Sequence, residues 1–346
     1  MTARIRVLLV DDSAFARKVM RETVGSEADM DVVGFAHNGL EALEKIKELR
    51  PDVVTLDLLM PELDGVGVLN AMADWPDRPH AVVVTTLDEA SDVGVAALAA
   101  GAFDVVHKPT AIASDRLYGL RPELLAAVRA AASAPRGTRR DKSLQAAVVM
   151  ADGATPAFDI VVIGASTGGP QAVSVVIEAL PANFPSPIAI VLHMPPGYTA
   201  SYADRVDRDA ALDVFEAREE LELVPGRVAI ARAGMHLTVG RRTGTCLAHL
   251  TLAPMDTLHK PSVDVLFASA AKSGGRVLGV VLTGMGDDGL LGARAIRENG
   301  GYVIAEAASS CVVYGMPRAV AESGLANEVV PLERMAAAIA AAVVRG

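Results

Sequence analysis

Short apolar runs alternate with longer segments of helical period, and this alternation occurs twice along the chain. In the first stretch the apolar runs fall at 7–10, 53–56, 81–84 and 103–106. Runs this short, rich in Val and Leu and interrupted only by Thr55 and Asp104, suit strands buried on both faces. Such strands belong to a parallel sheet covered by helices. The pattern restarts after residue 158, with runs at 160–163, 188–192, 228–231, 277–282 and 302–305, and 247–252 reads as part of a hairpin. The Ala-rich stretches 124–132 and 335–344 are expected to form the closing helix of each half. Two doubly wound, mainly parallel α/β domains are therefore predicted, the second three-layered and carrying a β-hairpin.

Between the halves the periodicity dissolves over 133–157, where Arg136, Arg139, Arg140 and Lys142 outnumber Asp141 and Asp152. We read domains at 1–132 and 158–346 joined by a linker, which as a flexible coil would span roughly 25–30 Å. The apolar AAVVM within it could instead be a short docking element. A chain of 346 residues, 51% of them apolar, exceeds one typical core and is too apolar for disorder. The net charge of −10 argues against a partner held by phosphate contacts, whether nucleic acid or anionic lipid. No apolar run approaches the roughly 18 residues of a membrane span, so no membrane insertion is expected. Cys246 and Cys311 lack metal-ligand spacing, and a reducing, cytoplasmic location fits them.

In the first half, Asp11 and Asp12 follow one strand, Asp57 the next, Thr85 the third and Lys108 the fourth. These are carboxyl ends, the edge at which open parallel sheets bind ligands. Three carboxylates gathered there repel one another unless a hard cation sits among them, and Mg²⁺ suits that donor set. One carboxylate could then accept a phosphoryl group, while Thr85 and Lys108 contact its oxygens. The stretches VLLVDDSAFARKVM, TLDLLMPELDG and FDVVHKP resemble a response-regulator receiver domain over about 4–125, whose fold is flavodoxin-like. The resemblance implies Asp57 as phosphoacceptor, Asp11, Asp12 and Asp57 as Mg²⁺ ligands with the Leu59 carbonyl completing the shell, and Thr85 and Lys108 as switch residues. It also implies a cis peptide before Pro109. Leu59 departs from the family, where a polar or acidic side chain is frequent.

In the second half, Gly164-Ala165-Ser166-Thr167-Gly168 directly follows a strand, and Pro170 can open a helix. Glycines permit a sharp turn that exposes the serine near a helix amino end, where N–H groups can hold an oxyanion. A phosphate-binding turn of a dinucleotide site is the competing reading. The G-x-G-x-x-G spacing is missing, however, and the next strand ends in His193 rather than an acid. His193 shares the carboxyl edge with Ser166 and is the candidate base; His236 and His259 are loop candidates, substrate-side or structural. GVVLTGMGDDG brings Asp287 and Asp288 to the same edge as candidate orienting acids, and spacing does not choose between them. The glycines of that turn would also let the Met285 N–H approach an oxyanion.

Taken in order, GASTGGPQAV, LHMPPGYTASYADRVD, HKPSVDVLF, LTGMGDDG and CVVYGMPRAV resemble the catalytic domain of chemotaxis protein-glutamate methylesterases, a Rossmann-like domain preceded in that family by a receiver. The resemblance implies Ser166 as nucleophile, His193 as general base, Asp288 as orienting acid and Met285 as oxyanion donor, with no cofactor in the esterase site. It implies a phosphorylation-regulated hydrolase that demethylates glutamate methyl esters and deamidates glutamines on methyl-accepting chemoreceptors, with a chemotaxis histidine kinase as phosphoryl donor. ARAGMH at 231–236 and Glu306 depart from the family, which tends to have a Pro-Gly pair and Gln there. A receiver with a docking or transcriptional output lacks support, since no helix-turn-helix or basic stripe occurs, and an oxidoreductase lacks its fingerprint.

Overall fold

A computed structural model describes residues 4–86, 91–108, 121–134, 148, 150 and 156–345. The chain divides into two compact units, Met1–Asp141 and Lys142–Gly346. Most of the linker expected at 133–157, and the peptide bond before Pro109, lie outside the described residues.

The first unit runs β1 (Ile5–Val10), α1 (Ala14–Gly25), β2 (Met30–Ala36), α2 (Gly39–Leu49), β3 (Val53–Leu56), α3 (Gly65–Ala71), β4 (His80–Thr86), α4 (Ser91–Ala99), β5 (Asp104–Lys108) and α5 (Arg121–Ser133). The strands form one sheet in the order β2-β1-β3-β4-β5, every pairing parallel. Val7 to Val10 and all of β3 are buried, as two-sided coverage by helices requires. Local capping starts the helices: Ser13 Oγ accepts the Ala16 N–H at 3.3 Å, Asn38 Oδ1 that of Glu41 at 2.8 Å, and Asp64 Oδ1 that of Gly67 at 2.7 Å. The strand order reverses direction between β1 and β3, which opens a crevice beyond their carboxyl ends.

The second unit runs β6 (Ile160–Ala165), α6 (Gly169–Glu178), β7 (Ile188–Leu192), α7 (Tyr198–Asp209), β8 (Asp213–Glu216), β9 (Leu221–Leu223), β10 (Arg227–Ile230), β11 (His236–Arg242), β12 (Thr245–Thr251), α8 (Val263–Lys272), β13 (Val277–Val281), α9 (Leu290–Glu298), β14 (Tyr302–Glu306), α10 (Met316–Glu322), β15 (Glu328–Val330) and α11 (Leu332–Arg345). Seven strands form a parallel sheet ordered β15-β14-β13-β6-β7-β10-β8, and β11-β12-β9 make a small antiparallel sheet. Here the order reverses at β6, so the binding crevice lies between the ends of β6 and β13. The core joins the inner faces of β6, β7 and β13 to Leu266, Phe267 and Ala270 of α8 and to Ile296 of α9. Burying each such aliphatic or aromatic side chain stabilises the fold by about 1.5–3 kcal/mol.

The α/β class and the parallel character of both sheets agree with the sequence reading, and the hairpin expected at 247–252 is β12 pairing with β11. Three strands of the parallel sheets escaped that reading: β2, β8 and β15. All three are edge strands. An edge strand is covered less completely, so its composition is mixed, as in MDVVGFA and DVFE. Among the described residues no helix is long and apolar enough to cross a membrane.

Candidate active site

In the first unit the side chains at the sheet edge converge. Oxygens of Asp11, Asp12 and Asp57 lie within 4.8 Å of one another, with Asp11 and Asp57 buried and Asp12 exposed. Lys108 Nζ donates to Asp11 Oδ2 at 2.7 Å and to Asp57 Oδ2 at 2.8 Å, supplying the counter-charge. Asp57 Oδ1 accepts the Leu58 N–H at 2.8 Å, and Asp11 Oδ1 accepts that of Ser13 at 2.9 Å. Burial raises the Asp11 carboxyl above the usual carboxylate range; Lys108 opposes the rise and Asp57 adds to it. Burial works to lower the Lys108 ammonium, but the two aspartates outweigh it and raise it. Thr85 Oγ1 is buried and has no hydrogen-bond partner among the described residues, so it retains a donor for an incoming group. Clustered hard oxygens, two of them buried, fit a small divalent cation.

In the second unit, Ser166 stands on the turn between β6 and α6. Its N–H donates to the Thr283 carbonyl at 3.0 Å, and the His193 N–H donates to the Ala165 carbonyl at 3.1 Å. These bonds set the ends of β6, β7 and β13 side by side. Gly168, with φ of 76°, takes the left-handed conformation that turns the chain into α6, and Pro170 follows in the first turn. Gly284 is needed for close approach: a Cβ there would lie 2.8 Å from Ser166 Cβ. The exposed Met285 follows it, on the turn beside the serine.

Of the two candidate acids, Asp288 is the one that meets the base. His193 Nε2 lies 2.9 Å from Asp288 Oδ2, while Asp287 is exposed. Asp288 is also seated at the amino end of α8, where Oδ1 accepts from Ser262 Oγ and the Asp264 N–H, both at 2.9 Å, and Oδ2 accepts the Val263 N–H at 2.8 Å. Burial alone would raise its pKa, but the His193 contact and the α8 amides hold it down at about 2. An ionised carboxylate has no proton to give, so Nε2–H is the donor and the His193 lone pair sits on Nδ1. That Nδ1 is buried and without a partner among the described residues.

Asp264 returns the cap. Its Oδ1 accepts the Gly289 and Gly292 N–H groups at 2.9 and 2.7 Å, at the start of α9. Burial, aided by Asp288 and Asp287 and opposed by those two N–H groups, raises its pKa to about 6. Beneath the serine turn, fully buried Glu306 accepts the Thr283 N–H at 2.8 Å and the Ser310 hydroxyl at 2.8 Å. The Thr283 hydroxyl in turn donates to the Thr167 carbonyl at 3.0 Å. At the other family departure, the Gly234 N–H donates to the Lys260 carbonyl at 3.0 Å, which ties the 231–236 loop to the segment before α8. The sequence reading did not single out Ser262 or Asp264, although a serine opening an apolar helical run is a capping signal. For the helix-to-helix exchange of caps the sequence holds no signal.

Residues 161–339 match the CheB methylesterase family, and residues 7–117 match the response regulator receiver domain. The protein-glutamate methylesterase/protein-glutamine glutaminase 5 of Myxococcus xanthus (strain DK1622) is 55% identical over 339 residues, 96% of each chain. The chain belongs to the CheB methylesterase family. The protein-glutamate methylesterase/protein-glutamine glutaminase of Thermotoga maritima is 41% identical over 333 residues, again covering 96% of each chain. The crystal structure of the Thermotoga maritima CheB methylesterase catalytic domain aligns with 54% of this chain and 98% of its own, at 41% identity and a TM-score of 0.52. Membership makes the chain an enzyme of the methylesterase class with a receiver domain ahead of the catalytic one, in agreement with the motif resemblance.

Proposed function

We propose that the chain is a phosphorylation-regulated hydrolase of the cytoplasm that demethylates glutamate γ-methyl esters, and deamidates glutamines, on the cytoplasmic helices of methyl-accepting chemoreceptors during chemotaxis adaptation. The observation that carries this reading is the His193–Asp288 pair, which leaves Nδ1 as the open nitrogen at the edge where Ser166 stands. Ser166 Oγ attacks the γ-carbonyl and passes its proton to His193 Nδ1, while Asp288 stabilises the imidazolium through Nε2. The Met285 N–H holds the oxyanion. On collapse the imidazolium protonates the departing methoxy oxygen, or the departing nitrogen of a glutamine amide, so that methanol or ammonia is released and an acyl-Ser166 remains. His193 then takes a proton from water as the water attacks the acyl carbon, and returns a proton to Ser166 as glutamate leaves.

Control comes through the first unit. Asp57 accepts a phosphoryl group from a chemotaxis histidine kinase, with Lys108 and Thr85 contacting the phosphoryl oxygens. Asp11, Asp12 and Asp57 would hold Mg²⁺, which would offset negative charge on those oxygens. The domain reading of 1–132, 133–157 and 158–346 is part of this proposal.

The test is Ser166→Ala. Methanol release from methylated receptor membranes should vanish while near-UV circular dichroism stays that of the native chain. Near-native release by this variant would remove Ser166 from the mechanism.

A further inference from the structure

His259 lies outside the three proposed catalytic groups, yet its ring stacks on that of His193, with centroids 4.1 Å apart and planes 24° from parallel. It sits on the segment between β12 and α8, and that segment is anchored from below. His236, fully buried, accepts the Ser262 N–H on Nδ1 at 3.2 Å. Its proton therefore resides on Nε2, which donates to the Pro254 carbonyl at 3.1 Å and lies 3.2 Å from Thr257 Oγ1. Lys260, the next residue, accepts the Gly234 N–H on its carbonyl at 3.0 Å. The stack is thus held by hydrogen bonds on both sides of His259, three of them to one buried imidazole.

Resting on the Ser166–His193–Asp288 reading, we propose that His259 is a positioning residue for the reaction. Its neutral ring fixes the plane of His193 so that one nitrogen meets Asp288 and the other Ser166, and its face stabilises the imidazolium formed when Ser166 gives up its proton. The proton moves from Ser166 Oγ to His193 Nδ1 alone, and His259 neither gains nor loses one. Two observations support the neutral ring. His259 is half-buried, and burial followed by the neighbouring His193 lowers its pKa, with Asp288 opposing. The charged and titratable groups around the pair are His193 at the end of β7, Asp287 and Asp288 on the turn before α9, Asp264 on α8, and His236 and Lys260 on the supporting segment. A cation against a desolvated aromatic face gains enough to change a rate about ten- to thirty-fold. A protonated His259 would instead repel the imidazolium, so the acid limb of the pH–rate profile should carry two protons.

The experiment uses the full chain, with His259→Ala, His259→Phe and Ser166→Ala assayed across pH on a synthetic helical peptide bearing γ-methyl glutamate. His259→Ala should lower kcat about ten- to thirty-fold with KM within about threefold. His259→Phe, which stacks but does not titrate, should keep kcat within about threefold at pH 8 and turn the two-proton acid limb into a one-proton limb. A wild-type kcat and acid limb in His259→Ala overturns the proposal. So does an equal loss in both variants, or a two-proton limb persisting in His259→Phe, and the phenylalanine variant decides alone if the alanine variant misfolds. Ser166→Ala separates the two levels: if it is inactive while His259→Ala is normal, only the role of His259 falls. If Ser166→Ala stays active, the triad reading falls and this one with it.

Discussion

Asp57 and Asp288 each follow a buried parallel strand at a point where the strand order reverses, yet the two carboxylates are satisfied in different ways. Asp288 accepts from Ser262 Oγ, two backbone N–H groups at the start of α8, and His193 Nε2, which fills the roughly four acceptor positions of a carboxylate. Asp57 accepts at close range from the Leu58 N–H and the Lys108 ammonium, with Leu59 N a distant 3.5 Å away. A saturated carboxylate is a fixed negative charge, suited to orienting a histidine. An undersaturated one beside two more carboxylates keeps lone pairs for a cation or for attack on phosphorus. The lesson is that the edge of a parallel sheet supplies a position, whereas the partners of the carboxylate select its chemistry. A helix amino end fills the acceptor positions of a carboxylate; an ammonium shared with Asp11 leaves some of those of Asp57 open.

That contrast makes graded predictions. The largest effect is all-or-none: incubation with a small phosphoryl donor and Mg²⁺ should label Asp57 alone, and borohydride reduction with mass spectrometry should find no label in Asp57→Asn. Label persisting in that variant would place the acceptor elsewhere. Next, Asp288→Asn replaces a full acceptor set by a group that must present an N–H to one of its donors, and kcat for methanol release should fall about 10⁴-fold. Asp287→Asn, at an exposed position, should stay within about threefold. The opposite ranking would mean that the saturated carboxylate is not the orienting one.

Lys108→Met tests the other half of the contrast. It leaves Asp11 and Asp57 without their shared cation and should destabilise the first unit by about 3–5 kcal/mol in chelator. Mg²⁺ should restore more stability to the variant than it adds to the native chain, as read by thermal unfolding. An equal Mg²⁺ effect in both would show that the cluster does not bind the cation in place of the ammonium.

The smallest effect concerns Asp264. Its folded pKa of about 6 lies above the ordinary 3.8, so the folded state binds the proton first. Stability from this group therefore rises as pH falls through about 6 and levels off below 3.8. Asp288, held at about 2, has the opposite sign, and its contribution is lost only as pH drops below 3.8. Between pH 7 and 5 Asp264 should dominate, and Asp264→Asn should flatten that part of the urea-unfolding profile by about 1–2 kcal/mol. An unchanged slope would mean that the Asp264 carboxylate is not the group that titrates in this range.

Much of this was legible before any coordinates. Val7 to Val10 and Ile160 to Ile163 announce two-sided burial through unbroken apolar runs, Val53 to Leu56 does so around a single Thr55, and the first polar residue after each run marks the carboxyl edge. Following the runs in this way leads directly to His193 and Asp57 and, across Gly164 and Ala165, to Ser166, whereas after 103–106 it meets His107 before Lys108. The rule weakens at edge strands, where half-exposure mixes the composition, so β2, β8 and β15 went unread. It stops altogether at pairings between distant segments. His193 and Asp288 are 95 residues apart, and nothing local distinguishes Asp288 from Asp287. The choice between them falls to the packing of α8 against α9, which aims one carboxylate at the Ser262, Val263 and Asp264 donors and leaves its neighbour in solvent. The His259 stack has the same origin, since it depends on a buried imidazole anchoring a loop from another strand. Periodicity and capping record forces between neighbours along the chain. Hydrogen-bond saturation and ring stacking depend on which remote groups the strand register brings within about 3–4 Å, and that distance is set when the sheet assembles.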